Sequence, residues 1–128
     1  MTTELQYLAW SIVLGLVYLM AYATAIRRQN GVEWATGARD ADKPPQGLAG
    51  RLARAQRNFM ETWPFFAVAV LLVHLLAKES ARSVWGCEIY LWARVAYLPL
   101  YAFGVPWLRS LVWVVSMIGL IMVLSAVF

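Results

Sequence analysis

The chain has 128 residues, of which 62% are hydrophobic and only 14% charged, with a formal net charge of +4. Soluble domains are about half apolar and about a quarter charged, so the composition excludes an ordinary soluble enzyme and indicates an integral membrane protein. Its single cysteine, Cys87, leaves no disulfide framework or cysteine metal cluster, and basic residues set against apolar runs argue against a nucleic-acid partner.

Residues 5–26 form the first apolar run, which meets the ~20 residues a helix needs to cross ~30 Å of hydrocarbon. Glu4 stands where a signal peptide would carry basic charge, so the run is read as a retained first span. A basic loop follows, and residues 37–50, with Pro44-Pro45, close it just before the next helix. Residues 52–77, 84–103 and 107–128 predict three further helices. The second is the longest, which places its charged first turns in the interface or beyond it. The expectation is one all-α domain over residues 1–128, an integral membrane four-helix bundle.

Positive charge sets the orientation. Arg27, Arg28, Arg39, Lys43, Arg51, Arg54 and Arg57 cluster after the first span, whereas only Lys78 and Arg82 separate the second from the third. The positive-inside rule places the first loop in the cytoplasm and both termini outside, with Arg109 on the cytoplasmic side. Tyr7, Trp10 and Trp85 suit the outer aromatic belt, and Tyr22 and Trp107 the inner one. Short loops and no eukaryotic retention signal at Ser125-Ala-Val-Phe128 point to a bacterial inner membrane. For Arg27, Arg28, Arg39 and Lys43, topology and contact with anionic membrane lipids are a sufficient role.

The second helix carries the strongest clue. At ~100° per residue, Arg51, Arg54, Asn58, Glu61 and Phe65 share an arc of roughly 80°, with Arg57 some 40° beyond it. Tyr90, Arg94, Tyr97 and Tyr101 make a matching stripe on the third helix. Charges within a bilayer segment cost roughly 2.5–3.5 kcal/mol each at the helix centre, so both stripes are expected to face a protein interior. Glu61, read as the only buried acid of the four spans, is the expected partner of Arg94. Pro99 lies between the two inner tyrosines and removes a backbone donor, which favours a kink. Polar residues can merely hold a bundle together, but four arginines against one glutamate leave surplus positive charge. That surplus calls for an anionic ligand.

Other residues read more plainly. His74 lies across the second helix from the polar stripe and is assigned to packing or the interface. Cys87 is a small packing residue. Trp107, Trp113 and Phe128 face lipid or pack between helices, and Ser116 and Gly119 permit close helix contact.

Arg54-Ala-Gln-Arg57-Asn58-x-x-Glu61-x-x-Pro64-x-Phe66, with Arg94-x-x-Tyr97-x-x-x-Tyr101 and Arg109-Ser110, resembles the membrane-associated proteins in eicosanoid and glutathione metabolism. The likeness covers the whole chain in length and four-span layout, and extends to glutathione transferases and prostaglandin E synthases of that family. It implies a homotrimer with glutathione between neighbouring subunits near the cytoplasmic side. By the same resemblance, Arg51, Arg54, Gln56, Arg57, Asn58, Glu61, Arg94, Tyr97 and Tyr101 hold the tripeptide, with Glu61 on its ammonium. Arg109 would approach the thiol from the adjacent subunit, assisted by Tyr97 or Tyr101, and Arg27 or Arg28 would close the pocket. No metal is implied.

Departures leave the electrophile open. Thr62 stands where leukotriene-C synthase of this family has a ligand-binding tyrosine, Arg57 follows the prostaglandin synthase pattern, and Tyr97 replaces the latter's histidine. The implied activity is detoxifying transfer of glutathione to lipophilic electrophiles, with peroxide reduction by the same thiolate. A non-enzymatic lipid- or ligand-binding scaffold of the same family is the alternative. A small exporter would want a carboxylate in a watery path and would have no need of four arginines beside it.

Overall fold

The computed structural model describes residues 1–128 as five helices: α1 (Thr3–Asn30), α2 (Val32–Thr36), α3 (Gly47–Leu75), α4 (Ala81–Ala102) and α5 (Pro106–Ser125). The chain is an all-α, multi-span membrane protein. Helices α1, α3 and α5 are long and apolar enough to cross a bilayer, and no more than a third of each one's most apolar stretch is buried. Trp10, Met20, Phe65, Val68 and Ile121 accordingly point outward. The remaining long helix, α4, has 22 residues but carries Arg82, Glu88 and Arg94, and so falls short of that apolar character.

Local chemistry explains the boundaries. The Thr2 hydroxyl accepts the Leu5 N–H at the start of α1, and Gly31 ends that helix at φ 89°, its N–H bonded to the Arg27 carbonyl. Ser80 and Ser83 form a reciprocal capping box on α4. Pro106 opens α5 at a position where its missing N–H costs nothing. Two expectations shift. Helix α3 begins at Gly47, five residues before the predicted start, because the apolar pattern emerges only after its first turn. The predicted loop also contains the short helix α2.

Two clusters form the core. One stacks Phe66 on Tyr90 at 4.0 Å between ring centroids; the other stacks Tyr18 on Phe59 at 4.7 Å. Cys87 is fully buried in the first, as expected. Gly119 meets Gly86 so closely that a Cβ on Gly119 would lie 2.6 Å from the Tyr90 nitrogen and 2.7 Å from the Gly86 carbonyl. The α4–α5 hairpin is therefore backbone against backbone, as small residues allow.

The fully buried polar groups at the end where α1 and α4 begin are partnered. Ser83 Oγ donates to Glu4 Oε1 at 2.5 Å, and Trp63 Nε1 donates to Ser11 Oγ at 2.8 Å. Glu4, just before the first apolar run, is thus the deeply buried acid, at 2% exposure. Within the spans, Glu88 of α4 is half-buried and Glu61 is exposed, so Glu61 is not their only buried acid. His74 is exposed and pairs with Glu79 at 2.9 Å; that hydrogen bond holds the Glu79 carboxyl below its ordinary range.

Candidate functional site

The α3–α4 seam turns on Arg94, which is completely buried. Its Nη1 donates to Asn58 Oδ1 and its Nη2 to Thr62 Oγ1, both at 2.7 Å. The guanidinium carbon lies 5.0 Å from the Tyr97 ring centroid and 5.7 Å from that of Tyr90. Its Nε has no hydrogen-bond partner. Thr62 Oγ1 also meets the Tyr90 hydroxyl at 3.0 Å.

The expected Arg94–Glu61 pair does not form. Asn58 and Thr62 lie ~40° apart on the helix, facing α4, whereas Glu61 is ~100° from Thr62 on the outer flank. Glu61 is exposed, as are Arg54 and Arg57. The stripe borders the buried face of α3 and does not point into it. The chain's one ion pair is His74–Glu79, so the Arg94 charge has no carboxylate beside it.

Two cavities open from this seam toward the end of the bundle where α4 stops and α5 begins. One, of about 210 Å³, is lined by Arg54, Arg57, Asn58, Glu61, Tyr97 and Tyr101. The other, of about 220 Å³, shares Asn58, Tyr97 and Tyr101 and adds Arg109, Ser110 and Trp113. Tyr101 is the hinge between them. Its hydroxyl accepts the Arg54 Nε–H at 3.2 Å, and the Arg109 guanidinium carbon lies 4.4 Å from its ring centroid. Tyr97 meets it edge-on, 5.5 Å between centroids.

Most of the predicted residues are brought together, but not all. Arg51 lines neither cavity; its Nε donates to the Ala102 carbonyl at 2.7 Å, neutralising the C-terminus of α4. Gln56, about 160° around α3 from Asn58, also lines neither cavity. Tyr90 serves the packed core. Arg109, expected from a neighbouring subunit, already reaches the site within its own chain. Arg28 lies on a separate, mostly apolar groove of about 850 Å³ between α1 and α3 that includes none of the other predicted site residues.

Sequence reasoning missed three features. Thr62 serves as a ligand of Arg94, although its i+4 spacing from Asn58 was a usable signal. Trp113 lines the Arg109 cavity instead of only packing. Tyr18 donates its hydroxyl proton to the Arg94 carbonyl at 2.6 Å, tying α1 to the seam; nothing local in the sequence marks that contact.

The seam presents spare cations, one open carboxylate and phenol hydroxyls around a shared space. The Tyr97 hydroxyl has no partner within the chain, and Tyr101 accepts a hydrogen bond while keeping its own proton free to donate. Such a set can hold a small anion with an ammonium group and stabilise developing negative charge. The family model described as MAPEG family matches residues 7–128. No curated protein matches the chain.

Proposed function

The chain belongs to the MAPEG family, a family of membrane-embedded enzymes that generally use glutathione, and we propose on that premise that it is a glutathione transferase. One observation carries the reading: Arg54, Arg57, Asn58, Glu61, Tyr97 and Tyr101 line one cavity while Arg94 lies buried behind it without a carboxylate. Glutathione has two carboxylates and one ammonium. Arg54 and Arg57 match the former, Glu61 the latter, and Asn58 with the tyrosines supplies hydrogen bonds.

Each cavity is smaller than the ~300 Å³ at which ligand pockets usually begin. A tripeptide would therefore occupy both and leave the exposed flank of Arg54, Arg57 and Glu61 to be covered. A homotrimer, with glutathione between subunits, supplies that cover. In this reading α4 is the third of four spans, its Arg94 turned inward, and the first loop is cytoplasmic.

The chemistry follows from the second cavity. A free thiol titrates near pH 8.5, and its thiolate is the nucleophile. Lowering that value to ~6.5 takes about 2–3 kcal/mol of preferential thiolate stabilisation. The thiol proton leaves to water; Arg109 supplies positive charge there, and the Tyr101 hydroxyl, its oxygen polarised by Arg54, donates a hydrogen bond to the thiolate without giving up its proton. The thiolate then forms a carbon–sulfur bond with a lipophilic electrophile arriving from the bilayer, and the leaving group departs with the bonding electrons.

Ultraviolet difference spectroscopy tests the proposal. Purified protein mixed with glutathione should show thiolate absorbance near neutral pH, and Arg109→Ala should abolish it at neutral pH while leaving binding measurable. Binding without a thiolate signal would favour the non-enzymatic scaffold, and no glutathione binding would reject the transferase.

A further inference from the structure

Glu88 is a charged side chain that neither the candidate site nor the packing uses. It lies in α4, half-buried, with no hydrogen-bond or ion-pair partner in the chain. Its carboxylate helps line a groove of about 520 Å³ between α1 and α4. Among the other lining residues the only polar groups are the Tyr7 hydroxyl and the indole N–H of Trp10 and Trp92; both tryptophans are largely exposed, and Val13, Leu91 and Val95 continue the wall. No Lys, Arg or His borders the groove.

Position and chemistry narrow the ligand. Glu4 on α1 touches Ser83 on α4, so these helices run in parallel from the end opposite the Arg109 cavity. Glu88 is seven residues into α4, about 10 Å along its axis from that end. An ionisable group at such a place in a membrane helix is costly without a partner and marks a functional site by default. Aromatic rings beside a carboxylate are the chemistry that captures an alkylated ammonium, by cation–π attraction and charge together.

We propose that the α1–α4 groove is a second ligand site, one that binds a lipophilic amine or quaternary ammonium of single positive charge. The cation sits on Glu88 among Tyr7, Trp10 and Trp92, and its apolar part lies along Val13, Leu91 and Val95. No cation borders the groove to answer a phosphate, which favours a singly cationic amphiphile over a zwitterionic phospholipid. This site rests on the reading of α4 as a span but not on glutathione binding, being at the other end of the bundle with opposite charge preference.

The test is photolabelling of the full chain in neutral detergent with a diazirine-bearing dodecyltrimethylammonium, the labelled peptides being mapped by mass spectrometry. Label is expected on residues 7–17 and 88–95, displaced by unlabelled dodecyltrimethylammonium but not by dodecanol or phosphatidylethanolamine. Glu88→Gln should reduce labelling roughly tenfold or more, as loss of the negative charge facing the trimethylammonium implies, and Glu88→Asp should restore much of it. Trp92→Leu, at an exposed position, should cost roughly fivefold and serves if the Gln variant folds poorly. Labelling indifferent to Glu88→Gln and Trp92→Leu would overturn the proposal. So would equal displacement by dodecanol, or by phosphatidylethanolamine, which would make the groove a lipid contact. A change of oligomeric state in Glu88→Gln would also overturn it, by assigning the groove to a second copy of the chain.

Discussion

Glu88 in the α1–α4 groove apart, the two ends of the helix bundle treat polar side chains in opposite ways. Toward the start of α1 and α4, buried polar groups are answered within the chain: Glu4 by Ser83, Ser11 by Trp63, Tyr90 by Thr62. Backbones touch at Gly86 and Gly119, and Phe66 stacks on Tyr90. Toward the end of α4, Arg57, Glu61 and Arg109 find no hydrogen-bonding partner, and the Tyr97 hydroxyl is free. Polar groups that build a structure are satisfied by it; groups left open at a cavity are available to a ligand. Arg94 marks the boundary, held by two neutral oxygens and short of a countercharge.

That contrast can be broken at either end. The largest effect should come from the packed end. Gly119→Leu would drive a side chain into the Tyr90 nitrogen and Gly86 carbonyl and should destabilise the fold by about 3 kcal/mol, read as a lower melting temperature in detergent. At the open end, changes should spare the fold and alter the ligand. Tyr101→Phe removes one hydroxyl and should lower conjugation at least roughly tenfold, as loss of a transition-state donor does, with glutathione affinity measured by calorimetry little changed. Glu61→Gln should weaken glutathione binding roughly tenfold, as for a lost charged hydrogen bond, and leave the melt unaltered, because Glu61 is exposed and unpaired. Arg94→Met sharpens the comparison most, since its sign differs between readouts. Thr62 keeps Tyr90 and Asn58 opens onto the cavity, so removing an uncompensated buried charge should raise stability by about 1 kcal/mol. Glutathione affinity should fall in the same variant.

Much of this was legible in the residues. Composition and run length sufficed for the membrane class and for α1, α3 and α5, because apolar content is a direct record of solvent. Spacings of three and four found Arg54, Asn58, Glu61, Tyr97 and Tyr101, because helical geometry fixes which residues share a face. What the sequence could not carry was direction. A stripe 80° wide can face a core or flank it, and the neighbouring helix decides. Glu61 therefore lies outside the Arg94 shell while Thr62, unmarked by charge, lies within it. Arg51 was drawn to the site by its charge, but the end of α4 offers a bare carbonyl closer at hand. Long-range contacts such as Tyr18 to the Arg94 carbonyl have no local signature at all.

A structure determined with glutathione present tests the central claim most directly. The tripeptide is expected across the two seam cavities, its carboxylates on Arg54 and Arg57, its ammonium on Glu61 and its sulfur beside Arg109 and Tyr101. Glutathione found in the α1–α3 groove near Arg28, or no bound tripeptide at saturating concentration, would contradict it.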